Sequence, residues 1–390
     1  GDIMSYATQN NAVLKNGFYD YTDAFCASEK VFLDSDCVCG NLETPITGVA
    51  KDLTHETSFN TPATILDALQ KCGFDFFTTA NNHSMDRGCA GIVETIKQFR
   101  IRNLDFTGTN DDLSGKRYFI KEIKGIKIAF LSYTYGANSE HHKMFLPQNQ
   151  NYMLNLLHAQ ASEIEYEYAK RPSLCIRAVR KMLRILGFLP QYKNQGRICV
   201  DNSSARWIND QESKELFDDF KKQVLAAKKQ SDVVVLCLHI GGQYNNCLGE
   251  YTKYVLKEIS SLPIDLVIGN HPHCILPCYK TAEQIVCLSL GNFAFTPGDK
   301  WEIEDVCSDF NIVFHVYLNT ITKKIEKCSY SLMHVRQDER GLSQTIPAYD
   351  LLEKMDKESK RRFFLLCRNA VKRFTKKKVH SLLPENELFL

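Results

Sequence analysis

The chain has 390 residues, of which 44% are hydrophobic and 24% charged, with a formal net charge of +2. This composition is typical of a globular protein, and the length fits two to three domains or one large α/β unit. The near-neutral charge indicates no particular partner. No run of about 18 apolar residues occurs, which excludes a membrane span, and no signal-peptide pattern is found at the start.

The fifteen cysteines are scattered, odd in number and without a C-x-x-C pair. Several fall inside apolar strands, where cysteine acts as a small hydrophobic residue. This usage predicts a reducing, cytoplasmic compartment rather than a disulfide framework. A membrane-associated or extracellular location is the alternative, because the strand expected before Asp2 is absent and an anchor could precede it.

The apolar patterns predict alternating strands and helices, and therefore an α/β fold. In chain order, the predicted elements are strand 37–39, helix 61–71, strand 74–79, helix 91–99, strand 126–133, strand 231–238, helix 251–260, strand 263–268, strand 285–288, an antiparallel pair at 311–319 and 324–333, and a basic helical tail at 351–378. The order helix–strand–loop–helix is clearest around residues 61–99.

A helical, charged insertion is predicted at about 149–197, and residues 168–200 hold eight Lys and Arg with no acidic residue. At helical spacing one face collects Arg177, Arg180, Lys181 and Arg184. Three interpretations stay open: a solvated helical hairpin, contact with an anionic membrane surface, or binding of an anionic polymer or phosphorylated substrate. Nucleic acid is not expected, because the basic patch is rich in leucine rather than interleaved with aromatic residues.

Five strand ends carry polar side chains, counting the strand expected before Asp2, at the edge where α/β sheets usually bind ligands. They are Asp2, Glu43 or Asn41, Asn82, His239, and His271 with His273. In extended chain, an H-x-H pair directs both rings toward one face. Each motif alone is more often a turn, and Asn41 and Asn292 are explained as well by turn capping. If each motif were only a turn, however, polar side chains would have to occur at all five strand ends by chance, which favours a shared site.

Carboxylate, amide and imidazole ligands suit Mn, Fe or Zn better than Ca or Mg. Six groups are too many for one tetrahedral ion, so the pattern predicts two ions that share a bridging carboxylate. Such a pair generates hydroxide near neutral pH and stabilises the attacking and leaving oxygens. His83, next to Asn82, is then free to act as general acid, and Asp86 could orient it.

The chain resembles the CapA group, the bacterial poly-γ-glutamate capsule synthesis proteins of the calcineurin-like metallophosphoesterase superfamily. The matching segments are 1–4, 41–45, 80–88, 239–244, 269–273 and 289–293, of which Asn81-Asn82-His83-Ser84-Met85-Asp86 and Ser289-Leu290-Gly291-Asn292-Phe293 are the specific ones. The resemblance spans nearly all of residues 1–335 and implies a four-layer α/β/β/α sandwich with a dimetal centre. A separate C-terminal helical extension is predicted at 336–390.

The resemblance implies a division of the ligands. One metal would take Asp2 and His273, the other Asn82, His239 and His271, with Glu43 or Asn41 as the bridge. Three departures concern metal occupancy. Met4 takes the place of the histidine in the Asp-x-His motif of superfamily phosphatases, as in the CapA group generally. Asn270 stands where CapA-like proteins usually have another histidine, and Gln243 where many have Glu.

The leading hypothesis is a metal-dependent hydrolase that cleaves a phosphoester or amide bond in an anionic cell-envelope polymer. A metal-bridged hydroxide would attack and His83 would protonate the leaving group. The alternative is a non-catalytic polymer-binding or assembly subunit that retains the fold. Loss of the Asp-x-His histidine favours the alternative, whereas Asn82-His83 and the pair of His271 and His273 favour the enzyme.

Overall fold

The structure is a computed structural model, and it describes residues 1–47, 58–139, 144–160, 165–167, 178–179, 181–183, 198–294 and 307–388. Its helices are α1 Ala7–Ala12, α2 Thr22–Phe25, α3 Thr64–Lys71, α4 Gly88–Ile101, α5 Gln211–Lys228, α6 Glu250–Ile259, α7 Ala348–Lys354 and α8 Lys357–Thr375, with 3₁₀ turns at Cys26–Val31, Gln148–Met153 and Ala205–Ile208.

The strands alternate with these helices along most of the chain, which confirms the predicted α/β class. They are β1 Asp2–Ile3, β2 Leu14–Lys15, β3 Phe18–Tyr19, β4 Cys39–Leu42, β5 Phe76–Thr78, β6 Asp105–Thr107, β7 Phe119–Ile123, β8 Ile126–Thr134, β9 Glu165–Glu167, β10 Ile198–Asp201, β11 Val233–His239, β12 Leu266–Asn270, β13 Ile275–Lys280, β14 Ile285–Leu290, β15 Phe310–Leu318, β16 Ile325–Gln337, β17 Ser343–Pro347 and β18 Asn386–Glu387.

A six-stranded sheet has the order β13-β14-β12-β11-β8-β7, with parallel pairing among β14, β12, β11 and β8. Every residue of β11 is buried, as expected for a parallel strand covered on both faces. Helix α5 contributes Phe217, Phe220 and Val224 to the cluster that covers one face. The carboxyl ends of β11 and β12 therefore lie side by side, with His239 opposite Asn270.

A parallel four-stranded sheet has the order β1-β4-β5-β6 and lies against the first. The rings of Phe76 and Phe130 bring the two sheets into contact, with centroids 4.3 Å apart. The sheets also meet at their edge, where Asp2 forms a parallel bridge with Asn292, just beyond β14. The ends of strands from both sheets therefore meet at one place.

The C-terminal part of the described chain packs on this core. Strands β15, β16 and β17 form an antiparallel sheet with β18, which confirms the antiparallel pair predicted from the sequence. The predicted tail at 351–378 is two helices, because Asp356 caps α8 by accepting hydrogen bonds from the backbone N–H groups of Glu358 and Ser359. The proposed division of the chain at residue 335 stays a prediction.

Only part of the predicted insertion is described. Strands β9 and β10 pair antiparallel, and residues 178–179 and 181–183 are helical. Lys181 is exposed. The other residues of the predicted basic face, Arg177, Arg180 and Arg184, lie outside the described residues.

Candidate metal centre

The polar residues predicted at the strand ends converge on one buried site. Pairing of β1 with β4 sets Asp2 opposite Asn41, and Glu43 follows directly after β4. His239 ends β11, and His271 follows β12 directly. Because these strands are parallel and in register, residues far apart in the chain come together at their carboxyl ends.

The first group of potential ligands is formed by Glu43, His239 and His271. The Nε2 atom of His239 lies 3.3 Å from the Oε1 atom of Glu43 and 3.1 Å from the Nδ1 atom of His271. The Oδ1 atom of Asn82 lies 2.6 Å from the same Nε2 atom. Asn82, His239 and His271, which were predicted to share one metal with Glu43 as the bridge, therefore lie next to one another and to Glu43.

The second group is formed by Asp2, Glu43 and His273. The Nδ1 atom of His273 lies 3.4 Å from the Oδ2 atom of Asp2 and 2.8 Å from the Oδ1 atom of Asn292. Asn41 donates a hydrogen bond of 2.7 Å from its Nδ2 atom to the Oδ1 atom of Asp2. Within each group the ligand atoms lie within 4.8 Å of one another, and Glu43 belongs to both groups.

The loop after β12 has a strained backbone. His271 and His273 have φ angles of 95° and 53°, in the left-handed region that side chains with a Cβ rarely adopt. The extended H-x-H conformation expected from the sequence is therefore wrong. The rings still share one side, with centroids 5.8 Å apart. Such strain persists where surrounding contacts hold it, typically at functional sites.

The buried donors and acceptors fit a cation. Among the described residues, neither carboxylate oxygen of Glu43 nor the Nε2 atom of His271 has a hydrogen-bond partner. Glu43 and His271 are both fully buried. Burying such groups without compensation costs free energy, which a divalent ion bound by carboxylate and imidazole would offset.

The electrostatics of the site shift the pKa values of His273 and His271 in opposite directions. Burial lowers the pKa of His273, but the charges of Glu43 and Asp2 and the hydrogen bond to Asp2 outweigh it and raise that pKa to about 9. Burial also opposes ionisation of Asp2, yet the hydrogen bond to His273 and the charges of His239 and His273 bring its pKa to about 2. Burial, with the charges of His239 and His273, holds the pKa of His271 well below its ordinary value.

Metal binding is therefore expected to release about one proton per chain near neutral pH. His273 is protonated below pH 9 in the metal-free protein and must lose that proton to bind a cation, whereas His271 is already neutral. Affinity for the ion in the Asp2 group should fall by about tenfold per pH unit as the pH drops below that value. Calorimetric titration with Mn²⁺ in buffers of different ionisation enthalpy measures the released protons.

His273→Gln is the matched variant for that titration. It should abolish the proton release while the group of Glu43, His239 and His271 still binds an ion. Equal proton release from the wild type and the variant would contradict this assignment.

His83 and Asp86 form a pair beside the two groups. The Nδ1 atom of His83 lies 2.7 Å from the Oδ2 atom of Asp86, which also accepts a hydrogen bond of 2.6 Å from the backbone N–H of Phe59. The ring of Phe59 packs edge-on against the imidazole. Burial lowers the pKa of His83, but the charge and hydrogen bond of Asp86 outweigh it, so that pKa lies above its ordinary value.

Two residues of the site were assigned no role from the sequence. Asn81 fixes the loop after β5, since its Nδ2 atom donates to the carbonyl of Leu42 at 2.7 Å and its Oδ1 atom accepts from the backbone N–H of His83 at 3.1 Å. Asn side chains often accept a hydrogen bond from the backbone two residues on, so Asn81 itself is a sequence signal for such a turn. The ring of Tyr135 lies 4.9 Å from that of His271, and no local pattern indicates it.

The structure shows the environment of the three residues that depart from the expected motifs. Met4 is buried in an apolar cluster with Phe59, so a side chain without a strong ligand atom lies two residues after Asp2. Asn270 is buried opposite His239, and its Oδ1 atom has no hydrogen-bond partner among the described residues. Gln243 is half-buried.

Comparison with known proteins places these motifs in a family. The sequence model described as bacterial capsule synthesis protein PGA_cap matches residues 1–297. The PGA biosynthesis protein CapA of Bacillus subtilis (strain 168) is 24% identical over 274 residues, which cover 69% of this chain and 56% of that protein. The capsule biosynthesis protein CapA of Bacillus anthracis is 22% identical over 307 residues, which cover 76% of this chain and 59% of that protein.

The chain thus spans less than three fifths of the length of these curated relatives. Among solved structures, a hypothetical protein from Thermus thermophilus is 12% identical, with coverage of 82% of this chain and 89% of that one, and its TM-score of 0.33 is too low to support an argument. In the part of the chain that the structure describes, no helix has both the length and the apolar character needed to cross a membrane.

Proposed function

From the membership of this chain in the bacterial capsule synthesis protein family PGA_cap, and from the geometry of its site, we propose that it is a metal-dependent hydrolase. The family match confirms the resemblance seen in its motifs. Its substrate would be a phosphoester or amide bond in an anionic cell-envelope polymer or its precursor. Poly-γ-glutamate is the leading candidate, since the relative from Bacillus subtilis is named for PGA biosynthesis. The observation that carries the proposal is the buried Glu43 carboxylate shared by two groups of potential ligands.

The residues present would hold two divalent ions of Mn, Fe or Zn. Asp2, Glu43 and His273 would hold one, and Glu43, His239, His271 and Asn82 the other. Bound together, such ions activate water and stabilise negative charge on a reacting oxygen. Glu43 rather than Asn41 is the bridge in this assignment, because the Nδ2 atom of Asn41 donates to Asp2 and so orients that carboxylate.

His83 would act as the general acid. Its Nδ1 atom is bound by Asp86, which leaves Nε2 to carry the proton toward a leaving group. Although burial opposes it, the charge and hydrogen bond of Asp86 raise the pKa of His83, which favours the protonated form that a general acid needs. Asp86 would orient the ring, and the hydrogen bond from Phe59 would hold Asp86 in turn.

The finer fold proposal is the four-layer α/β/β/α sandwich of metallophosphoesterases. Contact between Phe76 and Phe130 across the two sheets supports it. An anionic polymer or phosphorylated substrate remains the proposed partner. Contact of the basic insertion with a membrane or polymer stays a prediction, as does the cytoplasmic location.

A non-catalytic polymer-binding or assembly subunit is the second candidate. The observation in its favour is Met4, which packs in an apolar cluster where the superfamily motif has a metal-binding histidine. In that case the fold and its loops would persist with an incomplete site.

Elemental analysis of the purified chain, followed by a screen of phosphoesters and γ-glutamyl amides, tests the two candidates. We expect about two Mn, Fe or Zn ions per chain. His239→Ala and His271→Ala should each lower that content and abolish turnover, because each removes a ligand of the same ion. A wild type that stays metal-free after reconstitution would reject the hydrolase and favour the subunit.

A further inference from the structure

Helix α8 carries a row of cations along its exposed side. Lys357, Arg361, Arg368 and Lys372 follow one another at helical spacing, so they lie on one face and form what we call the cationic stripe. At 1.5 Å per residue the stripe is about 22 Å long. Lys357, Arg361 and Lys372 are exposed, and Arg368 is half-buried.

The positive charge of this helix is poorly neutralised. Residues 357–378 contain ten Lys and Arg and a single acidic residue, Glu358, although the whole chain has a net charge of only +2. Glu358 pairs with Arg362, outside the stripe. Within the described residues, none of the four cations of the stripe forms an ion pair. The stripe is therefore available to an anionic partner.

We propose that the cationic stripe binds a linear polycarboxylate, the polymer on which the proposed metal centre would act. This inference rests on the proposed function and names the surface that would hold its substrate. A narrow row of cations complements a linear chain that carries many carboxylates, and attraction between them raises the local concentration of the polymer.

A membrane surface fits this helix less well. A helix that lies in a bilayer interface buries its apolar face in lipid. The apolar face of α8 is already buried in the protein core, where it contributes Phe363, Cys367, Ala370, Val371 and Phe374. Only Leu365 and Leu366 remain half exposed on the outer side, at 50% and 45%. Binding to the stripe is therefore expected to depend on electrostatic attraction.

The helix also leads toward the candidate metal centre. The Nε atom of Arg373, one residue after the stripe, donates to the carbonyl of Ile275 at 3.2 Å, and its guanidinium also contacts the side chain of Asn246. Ile275 lies two residues after His273. The helix lies beyond residues 1–297, to which the family match is confined, so the stripe is a feature of this chain rather than of the matched domain.

Binding of fluorescently labelled poly-γ-glutamate, followed by anisotropy over a range of NaCl concentrations, tests the proposal. The triple variant Lys357→Glu/Arg361→Glu/Lys372→Glu should bind at least about tenfold more weakly at low salt. It should also show a shallower dependence on salt. The corresponding Gln triple variant should lie between the two, which keeps the test valid if charge reversal impairs folding.

The matched control is Lys214→Glu/Lys222→Glu/Lys229→Glu, which makes the same charge change on exposed positions of and beside α5. It should bind the polymer within about twofold of the wild type. Equal weakening in both triple variants, or in neither, would overturn the proposal. Stripe-dependent binding of phosphatidylglycerol vesicles without binding of the polymer would overturn it in favour of a membrane.

The experiments distinguish failure of the stripe proposal from failure of the proposed hydrolase function. Metal content and turnover of a small substrate should not change in the stripe variants, because none of the substituted residues touches the candidate centre. A metal-free wild type whose polymer binding still depends on the stripe would retain the docking surface and reject only the hydrolase.

Discussion

Glu43→Gln is expected to remove both metal ions at once. Glu43 belongs to both ligand groups, whereas Asp2 and His271 each belong to one. A neutral amide keeps the size of the side chain but gives up the negative charge that would lie between two cations. Elemental analysis should therefore find almost no metal in this variant, but about one ion per chain in Asp2→Asn and in His271→Ala.

The loss should also be visible in stability. A ligand present at 100 times its dissociation constant stabilises the folded state by about 2.7 kcal/mol, so two sites would contribute about 5 kcal/mol. Added Mn²⁺ should raise the melting temperature of the wild type and leave that of Glu43→Gln unchanged. Glu250→Gln, at an exposed position of α6, is the isosteric control and should respond like the wild type. Two ions retained by Glu43→Gln would contradict a bridging role.

His83→Ala is expected to lower turnover by about 10²- to 10⁴-fold while leaving the metal content intact. His83 belongs to neither ligand group, and its Nδ1 atom is already bound by Asp86. Removal of the imidazole therefore removes a proton donor but no ligand. Turnover of a substrate with a poor leaving group should fall more than that of an activated ester, which needs less protonation.

Asp86→Asn is the companion variant. It keeps the imidazole but removes the carboxylate that orients it and raises its pKa, so we expect a smaller loss than for His83→Ala. A His83→Ala variant with wild-type turnover and metal would exclude His83 as the acid. If His83→Ala lost metal and turnover together, His83 would instead be needed for metal binding.

Several elements were predictable because their signals are local. The run 231–238 is apolar and β-branched, and it forms the buried strand β11 with His239 at its end. The segments 311–319 and 324–333 were predicted as an antiparallel pair, and they form β15 and β16. The polar residues that follow such runs lie close together in the structure, since parallel strands align their carboxyl ends. Their role as metal ligands stays a prediction.

Other features depend on contacts that sequence spacing does not contain. The left-handed backbone at His271 and His273 depends on the surrounding fold, including the hydrogen bond of 3.1 Å from the His271 backbone N–H to the Asp2 carboxylate, 269 residues away in the chain. The ring of Tyr135 reaches the site only because β8 pairs with β11.

The sequence by itself determined the α/β class, the strand ends that carry polar side chains, and the family. Each of these follows from periodicity or from short motifs, which report on neighbouring residues. The tertiary structure decided that Glu43 faces both ligand groups while Asn41 supports Asp2, and that α8 buries one face and exposes its cations. These outcomes depend on which distant elements pack together, because burial and shared contacts are properties of the assembled core.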